Sequence, residues 1–244
     1  MKVFVVIPAA GLGTRMAAAG KKAPATSKQF LEIGGTPVLF HTLRKFASVP
    51  AISGIVLALR ESEVAGLKSR IENEPDAAQL SALIRYVVGG ETRQESVANG
   101  LAALIHSGTC ADDDLVLVHD AVRPFVDARI IADVIAAAVE HGAAIAGLPA
   151  VDTIKQVERT PDGAMIHATI PREKVVLAQT PQGFRCGLLR QAFATAQADG
   201  FLGTDEASVV EHLGHEVAVV MGSPRNIKIT QPSDLALAEF YLER

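Results

Sequence analysis

Apolar residues fall in short runs along this chain, and most runs end in small residues, a glycine pair or a helix cap. Val3, Phe4, Val5, Val6 and Ile7 are five consecutive apolar positions. They predict a buried strand that begins almost at the N-terminus. Runs at 52–59, 84–88, 115–118 and 143–150 predict further strands. Between them, apolar residues recur at helical spacing. Val38, Leu39, Leu43 and Phe46 mark a helix through about residue 48, and 61–74 a second one ending at Pro75. Thr92 caps a third, with Glu95 as its capping-box partner and Val97, Leu101 and Leu104 on one face. Residues 128–141 form a fourth. Strands alternating with helices predict an α/β chain.

The pattern changes after residue 150. Segments 152–157 and 166–170 flank Pro161-Asp162-Gly163, a hairpin signal, and alternate without a strong apolar face. Residues 151–177 therefore predict a projecting β-arm, and an unpaired hairpin of this kind invites a partner subunit. Thr180-Pro181-Gln182-Gly183-Phe184 leads to a helix at about 187–198. Another helix opens at 203–208, with Thr204 or Asp205 as its cap. Residues 216–221 and 226–230 predict short strands, and Ser233-Asp234 caps a last helix through Tyr241. No internal repeat interrupts this order.

Composition narrows the class. A chain of 244 residues with 49% hydrophobic and 20% charged residues suits one large domain with a substantial core. The expected organisation is a single domain over 1–244 with the arm at about 151–177 inserted. A net charge of −4 argues against nucleic-acid binding by bulk electrostatics, yet allows a local cationic pocket. Cys110 and Cys186 lack metal-ligand spacing and read as reduced thiols. No apolar run reaches membrane-spanning length, and Met1-Lys2 leads straight into a strand rather than a signal peptide. The expected location is the cytoplasm.

The candidate chemistry begins where the first strand ends. Pro8-Ala9-Ala10-Gly11-Leu12-Gly13-Thr14-Arg15 is a small-residue loop followed by a cation, suited to bring backbone N–H groups onto an anion. Met16 stands where a dinucleotide fingerprint needs its third glycine, and no Gly-Lys-Ser/Thr closes the loop as in a Walker motif. From these residues alone the loop is equally a plain strand-to-helix turn. Lys28 sits where it could fold over an anion or remain on the surface. Gly89-Gly90 before a helix N-terminus could admit a planar base, with Ser96 one turn in. Asp120 and Arg123 follow a strand directly, the edge where α/β sheets bind ligands. Asp120 could orient a sugar hydroxyl or a Mg²⁺-bound water, and Arg123 a phosphate; a simple Asp–Arg turn pair is the competing reading. Asp112-Asp113-Asp114 reads as a solvated turn. Lys228, between Ile227 and Ile229, points away from the side those two bury and fits an edge or an anion site.

Together these segments resemble the 2-C-methyl-D-erythritol 4-phosphate cytidylyltransferase family. The resemblance is carried by the 8–16 loop, Lys28-Gln29-Phe30-Leu31, Gly89 through Val97, Val118 through Pro124, Thr180-Pro181-Gln182, Thr204 through Ser208 and Asn226 through Thr230. They run in family order across nearly the whole chain. The resemblance implies a doubly wound, mostly parallel sheet of the Rossmann-like nucleotidyltransferase type, with a protruding β-arm that crosses to the partner of a homodimer. It implies transfer of CMP from CTP to a sugar-alcohol phosphate, with Mg²⁺ held mainly by the CTP phosphates and no protein ligand assigned.

By the same resemblance, Arg15, Lys28, Arg172 and Lys228 are the catalytic residues. Arg15 and Lys28 would act at the α-phosphate, while Arg172 and Lys228 would position the substrate phosphate. Pro8, Ala9, Ala10, Gly11, Gly13, Gly90, Ser96 and Asp120 would hold the nucleotide. Asp120, Arg123, Thr153, Arg172, Thr204 and Lys228 would face the acceptor, with Arg172 serving the partner's site. Thr14 stands where some members carry a second basic residue, and Ile170-Pro171 precedes Arg172. An attacking phosphate oxygen is already anionic, so the chemistry asks for cations and N–H groups rather than a base. A cytidylyltransferase for another polyol phosphate, such as ribitol 5-phosphate, and a nucleotide-binding module without turnover are the alternatives.

Overall fold

The computed structural model describes residues 1–11, 27–161 and 163–243. The first apolar run forms β1 (Val3–Pro8), and its alternation decides how the sheet is covered. Val3, Val5 and Ile7 join the core on one face, Phe4 and Val6 the core on the other. A strand buried on both faces needs cover on both sides of its sheet, and β1 also lies mid-sheet. It pairs in parallel with β4 (Ile52–Leu59) on one side and with β6 (Leu115–Val118) on the other. β5 (Ile84–Val88) extends the sheet beyond β4, also in parallel.

Beyond β6 comes β10 (Val176–Arg185), antiparallel to both neighbours, then β7 (Ala143–Pro149) and β11 (Ala218–Met221). The order across the seven strands is β11-β7-β10-β6-β1-β4-β5. The mostly parallel, doubly wound sheet is as expected.

Helices cover both faces. α1 (Val38–Ala47), α2 (Glu61–Glu72) and α5 (Ala128–His141) pack Leu39, Leu43, Phe46, Leu67, Ile71 and Val134 on one. α4 (Arg93–His106), α6 (Cys186–Asp199) and α7 (Glu206–His212) pack Val97, Leu101, Leu189, Val209 and Val210 on the other. Each fully buried side chain of this size contributes about 1.5–3 kcal/mol relative to exposure. α3 (Ala77–Leu83), which the sequence pattern did not announce, lies between α2 and β5 and buries only Leu80. α8 (Pro232–Leu242) buries Ala238 against a small third core containing Ile229 and Val122. β2 (Glu32–Ile33) and β3 (Thr36–Pro37) form a short hairpin of their own.

β8 (Ile154–Thr160) and β9 (Gly163–Ile170) form the expected arm as a separate two-stranded sheet; Asp162 at its tip lies outside the described residues. The arm closes earlier than 177, because Val176 and Leu177 already pair with Pro149 and Leu148 in the main sheet. β10 itself was expected only as a lead-in to a helix. It accommodates Pro181 because 179–181 bulge out of the ladder: Ala178 pairs with Gly147, and the next β10 residue to pair is Gln182, with Ile145.

Three further expectations are corrected. Residues 226–230 make no strand; Ile229 donates its N–H to the Val122 carbonyl, and Asn226 gives its carbonyl to Arg123. The cap of α8 is Gln231, with Pro232 in the first turn and Asp234 as its capping-box partner. Asp114 is not part of a solvated turn. It is buried and accepts the N–H groups of Lys2 and Ala111, which tie the start of β6 to the N-terminus.

Candidate active site

From β1 the chain winds one way to β4 and β5, then crosses to β6 on the other side of β1, so the crevice beyond the carboxyl ends of β1 and β6 is the sheet's switch point. A cavity of about 280 Å³ opens there. Pro8, Ala9, Ala10, Gly11, Lys28, Gly90, Ser96, Asp120 and Lys228 all line it, bringing together residues up to 220 positions apart. Gly13 and Arg15 lie outside the described residues.

The loop after β1 is tied back by its carbonyls. Gln29 donates its side-chain N–H to the Ala9 carbonyl at 2.6 Å, and Arg60 Nε donates to the Ala10 carbonyl at 3.1 Å. Two acceptors that would repel a phosphate are thereby occupied by the protein. Arg60 and Glu63 also hold the Ser27 hydroxyl, each at 2.6 Å, which anchors the single turn carrying Lys28.

Opposite this loop, Thr92 and Glu95 form the expected capping box at the start of α4. Glu95 Oε2 accepts the N–H groups of Glu91 and Thr92 at 2.7 and 3.1 Å. A Cβ on Gly90 would collide with Glu95, so this position is glycine for the turn itself as well as for any ligand. Ser96 lines the cavity with its hydroxyl already engaged, accepting the Gly90 N–H at 3.0 Å and donating to the Thr92 carbonyl at 2.9 Å.

A second cavity, about 170 Å³, adjoins the first and is lined by Arg123 and Thr204. Arg93, Asp120 and Lys228 belong to both. Asp120 is 6% exposed and meets three cations: Lys228 Nζ at 2.8 Å, Arg93 Nε at 3.2 Å and Arg123 Nε at 3.4 Å. Burial alone would push its carboxyl up; Arg93 and Lys228, then Arg123, hold it well below the usual carboxylate range. The Asp–Arg turn pair is therefore realised, and both residues also line the second cavity.

Arg93 Nη1 also donates to both carboxylate oxygens of buried Glu206, at 2.7 and 2.8 Å. Burial pushes the Glu206 carboxyl up and Arg93 opposes it. Arg93 and Glu206 lie within segments that carry the resemblance but were given no role: each follows a helix cap, where an exposed charge is ordinary. Thr153 and Arg172 are exposed at the base of the arm, where Arg172 donates to the Val151 carbonyl at 2.9 Å; they line neither cavity of their own chain.

A mostly parallel sheet with a small-residue loop and converging cations at its switch point defines an α/β protein whose site suits a phosphate-bearing ligand such as a nucleotide. Comparison with known proteins makes this specific. The chain belongs to the 2-C-methyl-D-erythritol 4-phosphate cytidylyltransferase family, whose profile matches residues 3–244.

A protein of that name from Acidobacterium capsulatum is 58% identical over 244 residues, covering 100% of this chain and 98% of its own. One from Solibacter usitatus is 50% identical over 243 residues, covering 99% and 96%. The crystal structure of 2-C-methyl-D-erythritol 4-phosphate cytidylyltransferase from Thermus thermophilus superposes with a TM-score of 0.74 at 36% identity, covering 100% of both chains. That of 4-diphosphocytidyl-2C-methyl-D-erythritol synthase from Anaerococcus prevotii gives 0.79 at 31% identity, covering 100% and 99%.

Proposed function

We propose that this chain transfers CMP from CTP to the 4-phosphate of 2-C-methyl-D-erythritol 4-phosphate, releasing pyrophosphate. The supporting observation is the pair of adjoining cavities that share Arg93, Asp120 and Lys228. A two-substrate transfer needs a nucleotide pocket and an acceptor pocket that meet at charged groups, and these do.

In the reaction an oxygen of the acceptor phosphate attacks the α-phosphorus of CTP. The new P–O bond forms as the bond to the β-phosphate oxygen breaks, and the electron pair leaves with pyrophosphate. The nucleophile carries its own charge, so no side chain must remove a proton. The task is to hold two anions together and stabilise the five-coordinate phosphorus. In this reading Ala9, Ala10 and Gly90 border the base and phosphates, Lys28 faces the α-phosphate, and Lys228 and Arg123 hold the acceptor's phosphate. Arg15 would join Lys28. Thr204 and Asp120 face the acceptor from the second cavity, and Thr153 and Arg172 would complete the partner's site.

The carboxylates at the site do not suit a protein-held metal. Asp120 is engaged by three cations and Glu206 by Arg93. Among the described residues no cluster of His, Cys, Asp and Glu could hold an ion. Mg²⁺ would therefore enter on the CTP phosphates, and no step is assigned to it.

The reading includes a homodimer joined by the β-arm. Val157 and Ile166, paired across the hairpin, and Met165 on its other face are exposed on strands that among the described residues pair only with each other, and a second copy would cover them. It also includes a cytoplasmic location; among the described residues no helix is long and apolar enough to cross a membrane. The test is pyrophosphate release from CTP and Mg²⁺ with a panel of acceptors, including ribitol 5-phosphate. Release that needs the methylerythritol phosphate supports the reading, and absence of release with every acceptor leaves only a nucleotide-binding module.

A further inference from the structure

His119 is completely buried one residue before Asp120, and the chemistry proposed above makes no use of it. Its ring packs edge-on against Phe46 of α1, with centroids 4.8 Å apart. Both ring nitrogens have partners. Nε2 lies 3.1 Å from the Arg123 carbonyl oxygen and Nδ1 3.0 Å from the Thr180 hydroxyl. A carbonyl oxygen can only accept, so Nε2 carries a proton. Burial keeps the imidazole neutral, lowering its pKa to about 4 against the opposing hydrogen bond to Arg123. Nδ1 is then bare and accepts the Thr180 O–H.

The same Thr180 oxygen accepts the backbone N–H of Asp120 at 3.1 Å. One hydrogen-bond chain thus runs from the Asp120 N–H through Thr180 and His119 to the Arg123 carbonyl. Its two ends are the ends of a single turn, closed by the Arg123 N–H donating to the Asp120 carbonyl at 3.1 Å. That turn carries both the carboxylate that gathers the cations and the guanidinium of the second cavity. Thr180 lies in the β10 bulge, where its carbonyl accepts from Asn226 Nδ2 at 2.8 Å. Asn226 in turn gives its carbonyl to Arg123 Nη1 at 2.7 Å and stands two residues before Lys228.

We infer that His119 is a positioning residue for the transfer: through Thr180 and the Arg123 carbonyl it locks the 120–123 turn to the β10 bulge, and so sets where Asp120 and Lys228 stand between the two cavities and where Arg123 stands in the second. This rests on the reading of the site given above. A phenyl ring at 119 would fill the space and keep the Phe46 contact, but would leave the Thr180 hydroxyl and the Arg123 carbonyl each without this partner. The turn would then be free to shift, and misplacement of about 1 Å costs of order 100-fold in rate.

The test uses the full chain with His119→Phe, His119→Asn and Thr180→Val, measuring kcat and KM for each substrate. It is joined by the ¹⁵N spectrum of the histidine rings. The expected spectrum shows His119 protonated at Nε2 and bare at Nδ1. His119→Phe is expected to lower kcat about 10- to 100-fold and to raise KM for the acceptor, with KM for CTP nearly unchanged. His119→Asn, whose amide oxygen can still accept from Thr180, should recover part of the loss. If His119→Phe does not fold, Thr180→Val carries the same expectation.

Folded variants with wild-type kcat and acceptor KM overturn the role, because a purely structural histidine would move only stability. A ring protonated at Nδ1 and bare at Nε2 overturns the chain of bonds. An inactive wild type overturns the functional reading and His119's role with it, whereas an active wild type with unaffected variants overturns the role alone.

Discussion

Lys228 Nζ lies 2.8 Å from Asp120 Oδ2, an ion pair between residues 108 apart in sequence that borders both cavities. Asp120 also meets Arg93 and Arg123, so removing its charge leaves three cations facing one another in a buried setting. Asp120→Asn is expected to destabilise the fold by about 3 kcal/mol and to depress turnover. Because the folded-state pKa of Asp120 is depressed, its contribution is present above the unfolded carboxylate range and is lost as pH falls toward the folded value. Urea unfolding of both proteins at neutral pH and in acid checks this. The variant's deficit should be largest at neutral pH and shrink in acid.

Lys28 lines the cavity of about 280 Å³ beside the loop from β1. If its charge acts on the phosphorus in the transition state, Lys28→Ala lowers kcat by about 100- to 1000-fold with little change in CTP affinity. Calorimetric titration with CTP and steady-state kinetics separate the two effects. A variant that loses CTP binding but turns over normally when saturated would assign Lys28 to ground-state binding instead.

His119 carries a pH prediction for stability as well as the kinetic one. Its pKa is lowered by burial to about 4, with Asp120 raising it and Arg123 and Arg93 lowering it. In the unfolded chain a histidine takes its proton near pH 6.5. The neutral buried ring therefore favours folding fully above that value and progressively less as pH falls toward 4, by about 2 kcal/mol at pH 5. Relative to His119→Asn, the wild-type protein should lose that much more stability between pH 7 and pH 5 in denaturant titrations. Parallel pH dependence of the two proteins would contradict the buried neutral ring.

What the sequence made legible follows from how local each signal is. β1 is announced by five adjacent apolar residues, and the start of α4 by Thr92 and Glu95 three apart. Alternation around Lys228 suggests that Ile227 and Ile229 are buried on the side away from it; Ile229 is fully buried, while Ile227 and Lys228 are each half-buried. The same alternation suggested a strand at 226–230, but pairing needs a neighbour that the pattern does not name. β10 was hidden by Pro181 and by small residues such as Ala178 and Gly183; it exists because β6 and β7 leave a slot between them. The Arg93–Glu206 pair joins residues 113 apart, a relation that no short motif encodes.

The arm offers Met165 and Ile166 at 67% and 66% exposed, on a hairpin that pairs with no other strand among the described residues. Replacing both with aspartate should leave the unfolding of the main sheet within about 0.5 kcal/mol and convert a dimer to a monomer in sedimentation. Activity should fall with the dimer if Arg172 serves the partner's cavity. A monomeric wild type would remove the arm's proposed role.

The most direct measurement is pyrophosphate release by the purified chain given CTP and Mg²⁺, with 2-C-methyl-D-erythritol 4-phosphate, ribitol 5-phosphate or no acceptor, and the nucleotide product identified by mass. Membership of the family, together with the two joined cavities, predicts release only when the methylerythritol phosphate is present, in equal amount with 4-diphosphocytidyl-2-C-methyl-D-erythritol. Release driven as well by ribitol 5-phosphate, or no release with either acceptor, would contradict it.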